Sequence, residues 1–209
     1  MANQQWVSLL NPGITSTGPG ATWTEASGSA VLSPQTSASN QDYATVQPGG
    51  QYLGWYVGML IRVTAAGWIT TNTTTGTLTI SLRANKNNST AVASNVVLAT
   101  ANGITTGTTA ITGIQFEVNA ILRCTAVASS GNTVSTQGGL TLFNSGAAVP
   151  ANPIALTGTA GLLLPMPNIS GENAAPVDTT QLQGIQLAAT GTAASGTIAC
   201  TQWLVETLD

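Results

Sequence analysis

Histidine is missing from this chain of 209 residues, and charge of either sign is scarce: four Lys plus Arg and seven Asp plus Glu, 5% of the whole. A soluble domain ordinarily carries about 25%. Each shortage excludes something. Four cations cannot make the basic stripe that neutralises phosphates, so nucleic acid is not an expected partner. Without imidazole, and with the carboxylates scattered, the usual general acids, bases and metal ligands are lacking or far apart. Neither catalysis nor a cofactor is expected. Long apolar runs are lacking too. A membrane-spanning helix needs about 20 consecutive apolar residues, and the runs here are broken within a few residues by Thr, Gly or Asn, so no membrane partner is expected. The opening Met1-Ala-Asn-Gln-Gln-Trp6 has neither a basic nor an apolar leader region, which predicts a chain made and kept in a cytoplasm. Cysteine occurs twice, as Cys124 and Cys200. Both fall in predicted strands and read as buried free thiols acting as small hydrophobes, since a disulfide would require neighbouring strands of the right geometry.

What is present is hydrophobic residues at 43% and an abundance of Thr, Ser, Asn and Gly. The length suits one domain with a real core. Residues 1–52 stand apart, with Pro12, Pro19, Pro34 and Pro48 and the turn signals Asn11-Pro12-Gly13 and Gly18-Pro19-Gly20. Their few apolar patches include Trp6, Leu9, Leu10 and Trp23. A solvated tail has no use for such residues. The segment reads as an extended N-terminal arm with one or two short strands, whose four apolar anchors dock on its own domain or on a neighbour.

Residues 53–209 read as β throughout. Leu78, Ile80 and Leu82 alternate with Thr77, Thr79, Ser81 and Arg83. Ile114, Phe116, Val118, Ala120, Leu122, Cys124 and Ala126 form one face of a long strand, with Gln115, Glu117, Asn119, Arg123 and the exception Ile121 on the other. Met59, Ile61, Val63 and Ala65 form a further inward set. Gly67 reads as a bulge before Trp68 and Ile69, and Trp68 and Trp203 read as packing in or near the core. Further strands are predicted near Val92–Ala99, Val134–Phe143, Thr180–Ala189 and Thr197–Leu208. The fold class is all-β: a single jelly-roll-like antiparallel β-sandwich with an extended N-terminal arm. Thr suits a pleated surface and wets it without charge. Edge strands are usually guarded by Lys or Pro, and Lys86 is the one lysine. The edges are therefore expected to be covered by the arm, by loops or by partner chains.

Few residues invite a chemical reading. Lys86 sits in Asn85-Lys86-Asn87-Asn88, which reads as a hairpin loop. Glu172 and Asp178 are close in sequence but read as solvated loop carboxylates rather than a glycosidase pair. Glu117 and Arg123, too far apart on one strand to pair, are expected to face charges on adjacent strands. Trp6, Trp23, Trp55, Trp68 and Trp203 raise the question of sugar stacking, chiefly at Trp55 or Trp68.

The segments Gly58–Ile69 and Gly76–Arg83, the strand Phe116–Cys124 followed by Val134–Leu142, and the ending Gly196-Thr-Ile-Ala-Cys-Thr-Gln-Trp-Leu-Val-Glu206 resemble a pattern in small virion proteins of tailed bacteriophages. The resemblance covers residues 53–208 and leaves out the arm. It implies a jelly roll found in the virion, as a capsid decoration (cement) protein or a tail-associated protein, often trimeric. On that resemblance the expected partners are the major capsid protein and further copies of the chain. The alternative is a tail or fibre module that recognises a host surface glycan.

Overall fold

The computed structural model describes residues 23–24, 29–31, 45–46, 55–71, 76–86, 96–106, 110–143, 162–166, 175–180, 183–192 and 196–208. Trp6, Leu9 and Leu10 lie outside the described residues, as does Glu172. Among those described, every regular element is a strand: β1 (Trp23–Thr24), β2 (Ser29–Val31), β3 (Thr45–Val46), β4 (Leu60–Thr71), β5 (Gly76–Lys86), β6 (Val96–Thr106), β7 (Ile111–Cys124), β8 (Val134–Phe143), β9 (Leu162–Pro165), β10 (Gln183–Thr192) and β11 (Gly196–Thr207). They form two antiparallel sheets. One runs β1-β11-β4-β7-β8-β9; the other runs β2-β10-β5-β6, with β3 also on β10. The chain is an all-β, two-sheet antiparallel structure with the strand arrangement of a β-sandwich.

Side-chain alternation dictates how the sheets stack. On β4, Ile61, Val63, Ala65 and Ile69 are buried while Arg62 and Trp68 face out. On β7, Ile114, Phe116, Val118, Ala120, Leu122 and Cys124 are buried, and Ile121, the sequence exception, is exposed. Leu78, Ile80 and Leu82 of β5, with Ile185, Leu187 and Ala189 of β10, supply the facing half of one core cluster. Full burial of such a side chain contributes about 1.5–3 kcal/mol, so the stack holds without charge. Cys124 and Cys200 are both buried free thiols, on strands separated by β4. Burial pushes both thiols up, Cys200 to about 12.

Three expectations change. The bulge lies not at Gly67 but on the facing strand, where Thr201 is the extra residue between Cys200, opposite Gly67, and Gln202, opposite Ala66. Its hydroxyl donates to the Ala66 carbonyl at 3.2 Å. Gly67 instead permits a close approach: a methyl there would strike the Ala199 carbonyl and lie 2.7 Å from the ring of Phe116. Because β4 runs unbroken through Gly67, Trp68 points outward, 37% exposed, whereas Trp203 and Trp55 are buried. Lys86 is not in a hairpin loop: Asn85 and Lys86 extend β5, opposite Gly184 and Gln183.

The edges are managed without lysine. Backbone pairing places β1 on β11, with Trp23 opposite Ile198, and places β2 and β3 along the outer side of β10. The far edge of the second sheet, β6, carries two irregularities. Its Ala101 and Ile104 face Ile80 and Leu78, and its Val97 and Ala99 face Arg83 and Leu82, so each time β6 holds one residue more than its partner. Such bulges spoil the flat template that another chain would need. The far edge of the first sheet, β9, is four residues long and ends at Pro165, which has no N–H to offer.

Candidate interaction face

The two outward faces differ. On the β2-β10-β5-β6 sheet, the outward Ser81, Thr100, Gln186 and Ala188 are all buried, and Arg83 is half-buried, its Nε donating to Ser81 Oγ at 3.0 Å. Burial draws the Arg83 pKa down, although a guanidinium keeps its charge at neutral pH. The outward face of β4, β7 and β8 is open.

Register orders that open face into rows. Trp68, Gln115 and Phe143 lie side by side across β4, β7 and β8. The next rows are Ala66, Glu117, Thr141; then Thr64, Asn119, Gly139; then Arg62, Ile121, Gln137. Phe143 is 39% exposed and Ile121 42%. A chain of hydrogen bonds fixes the middle: Thr64 Oγ1 donates to Asn119 Oδ1 at 3.2 Å, and Asn119 Nδ2 donates to Glu117 Oε1 at 2.6 Å. Glu117 and Arg123 do share this face, but the expectation of facing charges fails. Ala66 and Thr141 flank Glu117, and Leu60 and Ser135 flank Arg123, all uncharged. Glu117 finds its partner two residues along its own strand instead.

One end of the sandwich is firmly tied. The Thr179 hydroxyl accepts from the Ala128 N–H at 2.9 Å and reaches the Ala126 and Ala128 carbonyls at 3.1 and 3.2 Å. The buried Thr133 hydroxyl donates to the carbonyls of Ala175 and Val177. Asp178 closes a turn, its Oδ1 accepting from the Thr180 N–H at 3.1 Å and hydroxyl at 2.6 Å. That is a turn-forming role for the carboxylate singled out in the sequence. Tyr56, Val57 and Val127 are exposed near this end.

Of the four predicted anchors only Trp23 falls in the described residues, through its backbone in β1. Sequence reasoning raises Trp68 for sugar stacking but reads it as packed in or near the core, and it misses Phe143; both are exposed. The signal was there: continuing the alternation through Ala65 and Gly67 puts Trp68 outside, and inward Leu140 and Leu142 put Phe143 outside. Among the described residues no group of three or more His, Cys, Asp or Glu could hold a metal, and no helix is long and apolar enough to cross a membrane. Searches against protein-family models, curated proteins and solved structures return no match.

Proposed function

We propose that the chain is a structural subunit of a tailed-phage particle, a capsid decoration protein that binds the outer surface of the major capsid shell as a homotrimer and stabilises it. The observation that carries this reading is the arm's pairing: short segments ahead of the sandwich add strands to the edges of β10 and β11. A chain that completes sheet edges with an extended arm has the means to tie itself to a neighbour by the same strand addition. Trp6, Leu9, Leu10 and Trp23 are the anchors in this proposal. We also propose that the sandwich is a jelly roll. The first long strands pair with the last, β4 with β11 and β5 with β10, which supports a jelly-roll winding.

The energetic logic is mass action, since a ligand that binds only the assembled shell stabilises it by RT ln(1 + [L]/Kd) per site. Modest contacts repeated over many copies then resist internal pressure. The test is to delete residues 1–25 and measure binding to undecorated heads, with sedimentation of the free protein to read its oligomeric state. Loss of binding by a variant that still folds is the expected result; undiminished binding rejects the arm as the anchor.

A further inference from the structure

We propose that the row Trp68–Gln115–Phe143 on the open sheet face is a binding platform for a neutral, extended oligosaccharide. Its geometry comes from register. The three residues are direct neighbours on β4, β7 and β8 and share the outward side. Adjacent strands lie about 4.8 Å apart, so the two aromatic positions stand roughly 10 Å from each other. That span matches two units of an extended pyranose chain, so alternate sugars can stack on the two rings while the sugar between them lies over Gln115.

The chemistry fits at each point. The C–H face of a pyranose is apolar and packs on an aromatic ring, while its hydroxyls need both donors and acceptors. The exposed Gln115 amide offers two N–H donors and a carbonyl. Beside it, Thr64, Asn119 and Glu117 are already held in a hydrogen-bonded chain, which lowers the ordering cost of binding. Charge selects a neutral ligand. The row itself carries none, the nearest charge on β7 is the carboxylate of Glu117, and Arg62 and Arg123 stand at the other end of the face. An anionic glycan would meet repulsion here and find its cations far away.

A second copy of the chain fits this row less well. A stable interface takes about 800 Å² from each partner, and beyond the row the face is chiefly Thr, Asn, Gln, Glu and Arg with Ile121 as an isolated exposed aliphatic, part of it already hydrogen-bonded to itself. The proposal does not rest on the decoration reading. A head protein and a tail protein could each carry such a row, and the head-binding experiment is unaffected by its failure.

The test titrates the full-length protein with cellohexaose, mannohexaose, xylohexaose and chitohexaose by calorimetry. At least one is expected to bind, with the same affinity in low and high salt. Trp68→Ala and Phe143→Ala should each weaken it at least about tenfold and Gln115→Ala several-fold, with Ile121→Ala, on the same face, as the unaffected control. These side chains point outward, and circular dichroism and sedimentation check that each variant keeps its fold and oligomeric state. The proposal is overturned if none of the four sugars binds at millimolar concentration, or if binding survives loss of both rings. It is equally overturned if the aromatic substitutions change self-association instead, which would make the row a contact between copies.

Discussion

At Gly67 three strands approach more closely than a methyl group allows. The Ala199 carbonyl lies on one side and the Phe116 ring fills the place a side chain would take. Gly67→Ala should therefore destabilise by about 3 kcal/mol, near the top of the range for overpacking, read as a lower midpoint in urea unfolding. A mutant as stable as the parent would mean that the strands separate freely here. The same position explains a misreading. Taken from sequence, a glycine in a strand suggests a bulge, and a bulge would turn Trp68 inward. The extra residue is on the facing strand, and nothing in a one-chain pattern of apolar residues tells which of two paired strands carries it. A second residue-scale effect concerns Cys200. Its folded pKa is raised to about 12 from an ordinary thiol value of about 8.5. The unfolded thiol therefore loses its proton first, and stability is full below that ordinary value. As pH climbs through the window between the two values, stability falls by at most about 1.4 kcal/mol per pH unit from this group. The expected outcome is a urea midpoint that drops between pH ~9 and ~11, with a smaller drop in Cys200→Ala.

Elements differ in how plainly the sequence announces them. β7 is legible because it has a long period-two pattern, and β8 spans Val134–Phe143 as expected. β11 likewise lies within a residue of its expected ends. The strand expected near Val92–Ala99 starts too early and stops too soon. β6 covers Val96–Thr106 and runs through Asn102-Gly103, a pair that ordinarily signals a hairpin turn but here falls in a bulge. β9 is not announced at all, since three leucines ending on a proline carry no usable period. The interaction face is half legible: alternation assigns the polar residues to one side of β7 and puts Trp68 and Phe143 outside, but that these two stand in one row depends on the register of three strands. The bulges on β6 make a prediction of their own. Deleting Gly103 removes the extra residue and restores simple alternation from Ala99 through Ala101 to Ile104. The straightened edge should then recruit other chains. Light scattering is expected to show concentration-dependent association of a folded variant; a monodisperse variant would leave the bulge at Asn102-Gly103 without a protective role.

Across the whole molecule the shortage of charge and the asymmetry of the two faces belong together. One sheet buries outward polar groups such as Ser81, Thr100 and Gln186, and the other offers a surface of hydroxyls, amides and a few aromatics. If the chain holds to a capsid, it does so largely through neutral contacts. Attachment should persist at about 1 M salt, where the Debye length is only ~3 Å; release of the protein by salt alone, measured by sedimentation of washed heads, would assign the binding to its few charges. The pairing of early with late strands has a further consequence, for synthesis. β4 lies between β7 and β11, and β5 between β6 and β10. A ribosome delivers β4 and β5 long before their last neighbours. Through most of translation the nascent chain therefore exposes one bare side on each, in the middle of what will become its two sheets. Non-local pairing of this kind is slow and open to wrong partners, and the last stretch of the chain is what ends that vulnerability.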